Sequence, residues 1–60
     1  MNQQLPQDKM MLLSVINTKL RDQYSDLDAL CEDLGADKKE IIVALGSIGY
    51  EYNPELNRFC

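Results

Sequence analysis

The chain has 60 residues, with ten acids against six bases, no His and two cysteines. A chain this short is at most one domain and buries only about 60% of the surface its unfolded form exposes, which excludes a large enclosed core. The net charge of −4 weighs against nucleic acid as a partner, and the lack of His and of any CxxC spacing weighs against a metal centre.

Residues 1–5 show no apolar period and are expected to form a disordered tail. Asp8 then suits an N-cap, because its carboxylate can accept from a free backbone N–H of a first helical turn. Met10, Leu13, Leu20 and Tyr24 follow at spacings of three, seven and four, with Ile16 beside the stripe. That period predicts an amphipathic helix from Lys9 to Gln23. Asn17 interrupts the apolar stripe. The favoured reading is that its amide bonds backbone in a neighbouring helix or loop; the alternative is that it faces a partner or ligand.

A second helix starts at "SDLDAL", with Ser25 as candidate N-cap and Asp28 three residues on in a shortened capping box. Leu27, Leu30, Cys31 and Leu34 fall at i, i+3, i+4 and i+7, and Gly35 can take the left-handed conformation that ends a helix. Asp37 and Glu40 repeat the capping pattern for a third helix. Its inward face is read as Ile41, Ala44, Leu45 and Ile48, and its end as Gly49.

The remaining stretch, "YEYNPELNRFC", changes from helical to alternating period. With Asn53 to Leu56 as the loop and Pro54 at its second position, Tyr52 faces Asn57, Glu51 faces Arg58 and Tyr50 faces Phe59. Tyr50, Tyr52 and Phe59 then share one face, which must dock on the helices because a lone hairpin is marginal. The predicted fold is therefore mostly α. It is a three-helix, helix-turn-helix-like bundle with a C-terminal β-hairpin, a small winged-helix-like arrangement in a single domain over residues 1–60. No linker, repeat or low-complexity segment divides it.

A helix-turn-helix needs a small residue in its first helix, a glycine at the turn and an apolar residue early in its second helix. Cys31, Gly35 and Ile41 fill those roles, although any compact tri-helical domain with a short second turn can produce the same spacing. Reading DNA asks for more, namely base-reading polar side chains ringed by cations. The outward face of the third helix shows Lys38, Lys39, Ile42, Val43, Gly46 and Ser47. Only the lysines suit a phosphate, and no Arg, Asn or Gln stands ready for a base edge. The acidity is also in the wrong place, since residues 25–49 sum to −4 while residues 1–24 sum to +1. Lys38, Lys39, Ile42, Val43 and Gly46 are accordingly the candidate partner-contact residues, an apolar patch with a charged edge that fits protein better than DNA. The competing reading is that the hairpin or the first helix covers Ile42 and Val43. Lys19 and Arg21 are read as salt-bridging with Asp22 or with acids of the second helix.

No catalytic, cofactor-binding or metal-ligating residue is inferred. There is no Gly-rich phosphate loop. Glu32 and Asp33 fall on the outer side of a helix, where solvated carboxylates are the norm, and Cys31 on an apolar stripe acts as a small hydrophobe. The opening "MNQQLPQDK" lacks the basic start and long apolar stretch of a secretory signal, and no apolar run nears the ~20 residues of a membrane span. A cytoplasmic location is expected, with reduced thiols, although a disulfide between Cys31 and Cys60 is an available staple.

The stretches "MMLLSVINTKLRD", "SDLDALCEDLG" and "IGYEYNPELNRF" together resemble the short bacterial family numbered four-two-five-zero among the domains of unknown function. The resemblance runs from Leu5 to Phe59, with "NTKLRD" and "GYEYNPELNRF" its most distinctive parts. It implies one free-standing bacterial cytoplasmic domain and carries over no activity, cofactor or site residue. The expected function is a non-enzymatic protein–protein interaction module, self-associating through its third helix, with another protein chain as partner and no membrane or small-molecule substrate. The alternative is a small helix-turn-helix DNA-binding transcriptional regulator.

Overall fold

The computed structural model describes residues 5–60. Three helices, α1 (Lys9–Asp22), α2 (Leu27–Leu34) and α3 (Lys38–Gly46), lead into an antiparallel hairpin of β1 (Tyr52–Asn53) and β2 (Arg58–Phe59). The expected class, mostly α with a C-terminal hairpin, is what forms. The term winged helix describes this element order and nothing more.

The expected disordered tail fails at Leu5, which is half-buried and packs against the core; residues 1–4 lie outside the described residues. Asp8 caps α1 as anticipated, its carboxylate accepting from the backbone N–H of Met10 at 2.9 Å and of Met11 at 3.1 Å. The buried face of α1 is Leu12, Leu13, Ile16 and Leu20. Met10, expected on that face, is 57% exposed. Leu12 lies one turn before Ile16 and two before Leu20, so it continues their row, whereas Met10 projects to one side of it.

Asp26, not Ser25, caps α2, accepting from the Ala29 N–H at 2.7 Å. Both residues are capping types, and the chain enters the helix one residue later because Leu27 must open the buried face. Gly35 ends α2 at φ +66°, which a side chain would disfavour, and its N–H bonds the Cys31 carbonyl. Asp37 then caps α3, accepting from Lys39 at 2.9 Å and Glu40 at 3.4 Å. The third helix stops at Gly46 instead of Gly49. The Ser47 N–H still bonds the Val43 carbonyl, after which tighter bonds from Ile48 to Leu45 and from Gly49 to Gly46 turn the chain. Gly49 carries the positive φ, at +87°, that redirects it toward the hairpin. Ile48 therefore lies beyond the helix and is half-buried, as is Leu34 at the end of α2, although both were expected in the core.

The hairpin forms two residues out of the expected register. Tyr52 faces Phe59 and Asn53 faces Arg58, while Glu51 exchanges both backbone hydrogen bonds with Cys60. The expected Glu51–Arg58 and Tyr50–Phe59 pairs do not occur. The turn is Pro54 to Asn57, and Asn53 organises it by accepting from the N–H groups of Glu55 at 2.9 Å and Leu56 at 3.1 Å. An even shift keeps every side chain on its intended face, so the aromatic side still looks inward. Phe59 is buried in the core, and its ring centroid lies 5.5 Å from that of Tyr52 in a tilted pair.

Two asparagines lock this hairpin to α1. Asn17 reaches β2 from the middle of α1, its Nδ2 donating to the Phe59 carbonyl at 3.1 Å and its Oδ1 accepting from the Phe59 N–H at 2.8 Å. The expected amide-to-backbone bond is thus made, on a strand instead of a helix or loop. Asn57, at φ +54°, donates to the carbonyl of Leu20, which the last turn of α1 leaves free, and to that of Tyr24 just beyond the helix. Its Oδ1 accepts from the Tyr52 hydroxyl at 2.8 Å, and that hydroxyl accepts from the Leu27 N–H at the start of α2. One chain of hydrogen bonds therefore satisfies the end of α1 and the beginning of α2 together.

Candidate interaction surface

α3 presents two faces. Ile41 and Leu45 point into the core and are buried. Ile42 is 40% exposed and Val43 64% exposed on the outer side. The reading in which the hairpin or α1 covers them is overturned. The hairpin docks through Phe59 and the two asparagines, and α1 buries its leucines against the inward face of α3. Among the described residues, Ile42 and Val43 stay exposed on the far side.

The five candidate residues are not all used alike. Lys38 turns back to α2, its Nζ 2.7 Å from Asp28 Oδ1, and this carboxylate raises the ammonium above its ordinary pKa. Lys39 and Val43 instead line a shallow depression of about 580 Å³ with Lys9, Asp37, Glu40 and Ala44. Ile42 stands beside Val43 on the same outer surface. Gly46 is exposed, and a Cβ built on it meets nothing within 4 Å. It closes α3 as its last residue instead of sitting mid-helix, so its conformational cost is smaller than an interior position implies, and no close approach inside the chain requires it.

The depression continues into a second groove of about 520 Å³, floored by Leu12, Leu34, Ile41 and Ala44 and walled by Leu5 and Pro6. Lys9, Asp37, Glu40 and Ala44 belong to both. Sequence reasoning missed Lys9 and Leu5 as surface-shaping residues. The available signal was Leu5 itself, an apolar residue fixed by Pro6 just before an N-cap.

Lys19, read as a salt-bridging residue alongside Arg21, forms no salt bridge among the described residues. Arg21 forms a two-point pair with Asp22, 2.8 and 3.1 Å, as the salt-bridging reading expected, and the contact holds the Asp22 carboxyl below its ordinary range. The Tyr24 hydroxyl donates to Asp33, which raises the phenol. Both thiols are free; burial pushes Cys31 up, while Cys60 is exposed. Among the described residues no group of three His, Cys, Asp or Glu is placed to hold a metal, and no helix is long and apolar enough to cross a membrane.

Residues 6–59 match the family described as Domain of unknown function (DUF4250). The chain belongs to that family. The match spans α1, α2, α3, β1 and β2. No curated protein and no solved structure matches the chain.

Proposed function

We propose that the protein is a non-enzymatic, cytoplasmic protein–protein interaction module whose contact surface is the outer face of α3, centred on Ile42 and Val43 with Lys39 at its edge. The observation that carries this reading is the exposure of two adjacent β-branched side chains on a helix whose opposite face already completes the core. Leaving apolar surface in water gains nothing, and covering it with another chain recovers roughly 25 cal/mol per Å². The partner is another protein chain, which includes a second copy of this one. No membrane and no small-molecule substrate enters the reading.

The second reading, a small DNA-binding regulator, rests on the helix-turn-helix spacing and on two lysines at the start of α3. Its weakness is on the same surface. Lys38 is committed to Asp28, and the exposed positions of α3 after Lys39 are Glu40, Ile42, Val43 and Gly46, none of them a cation or a base-reading amide.

The test is affinity capture with the full chain as bait, wild type against Val43→Asp. A specific partner retained by the wild type and lost by a variant with unchanged helical circular dichroism is the expected result. Retention of the same partner by Val43→Asp would remove α3 as the contact face.

A further inference from the structure

We propose that the partner for the α3 face is a second copy of this chain, packed antiparallel across a two-fold axis between Ile42 and Val43; this rests on the interaction-module reading above. Lys39, Ile42, Val43 and Gly46 stand at i, i+3, i+4 and i+7, so they form a single stripe along the outside of α3. Turning a second helix end for end maps this stripe onto itself. Ile42 meets Val43 of the other copy, and Lys39 meets Gly46. The bulkiest position thus falls opposite the one with no side chain, and each contact occurs twice, as an isologous interface requires.

Two further observations point the same way. The first is Gly46. Its φ is not positive, and nothing among the described residues crowds a Cβ there, so their fold has no need of glycine. A crossing helix with a lysine stem laid over that position has such a need.

The second is charge. Lys38 and Lys39 both occupy the first turn of α3, where the helix dipole disfavours cations. Lys38 is compensated by Asp28, whereas among the described residues Lys39 has no salt bridge. An antiparallel neighbour brings Lys39 to the carbonyl end of the other α3, where the dipole favours a cation. A parallel neighbour would set Lys39 against Lys39. The patch is small, so the dimer belongs to the weak, reversible class of interfaces.

Sedimentation equilibrium of the full chain over a concentration series into the millimolar range tests the proposal. The wild type is expected to show a reversible monomer–dimer equilibrium. Gly46→Leu, which has open space in the monomer, should keep its thermal melt and weaken the dimer by about tenfold or more. Lys39→Glu should weaken it more than Arg58→Glu, which makes the same change in net charge on the hairpin. A wild type that stays monomeric throughout overturns the second copy as partner, while the capture experiment with Val43→Asp separately decides whether α3 is a contact face at all. A dimer indifferent to Gly46→Leu, or equally sensitive to the two charge reversals, overturns the antiparallel arrangement.

Discussion

Asn57 shows how much one side chain can decide in so small a domain. Its left-handed backbone is tolerated because its amide is engaged on both sides, donating to the carbonyls of Leu20 and Tyr24 and accepting from Tyr52. Asn57→Ala loses all three bonds and retains the unfavourable φ, so it should destabilise by about 2–4 kcal/mol in urea unfolding. Asn57→Gly loses the same bonds but relieves the backbone, and should cost clearly less. Equal costs would show that the backbone conformation is unstrained. The two thiols provide a second contrast at this scale. Cys31 is buried and its pKa is raised by burial, whereas Cys60 is exposed. Alkylation of the native chain should label Cys60 quickly and Cys31 only on unfolding. A raised thiol pKa in the folded state stabilises the fold below the unfolded value, and that contribution is lost as pH rises through the folded one.

At the scale of elements, each helix is bounded by a carboxylate cap and one inward face, and the faces are short. α2 has eight residues, too few to persist alone, so its helicity depends on burying Leu27, Leu30 and Cys31. Leu30 is fully buried in the core cluster. Leu30→Ala should therefore cost about 2–5 kcal/mol, a large part of the stability available to a domain of this size, with a matching fall in melting temperature. An unchanged melt would mean that the face of α2 is assigned wrongly. The hairpin is held differently. Its ladder is only two residues per strand, and its stability comes from Phe59 in the core and from Asn17 gripping the Phe59 backbone. A strand that short would not pair on its own.

At the scale of the whole molecule, the distribution of charge matters more than its total. Asp28 of α2 reaches α3 and neutralises one of the two lysines that a helix-turn-helix would turn toward phosphate. Affinity for duplex DNA at physiological salt should be no tighter than the weak non-specific range, about 10⁻⁴–10⁻⁶ M, as measured by fluorescence anisotropy. Sequence-selective binding at nanomolar affinity, lost on Lys39→Glu, would make the DNA-binding reading the stronger one. Among the described residues the outer face of α3 keeps Ile42 and Val43 exposed, because the hairpin docks on α1 and α1 packs on the inner side of α3.

The local signals were strong enough to determine the three helices without tertiary information. Asp8, Asp37 and Gly35 act within a turn or two of themselves, and an apolar period needs only the helix it belongs to. The presence of a hairpin was legible in the same way, from alternation around Asn53-Pro54. Its register was not. Two registers separated by two residues place the same side chains inward, and only the fit of Phe59 into the core, with Asn17 on its backbone and Asn57 on the end of α1, selects one. The candidate surface divides likewise. The outward positions of α3 followed from its period, but whether Ile42 and Val43 were covered depended on where the hairpin docked, and whether Lys38 was available depended on the approach of α2. Those contacts join residues far apart in sequence or on different helices, and no local pattern encodes the direction from which the neighbouring element arrives.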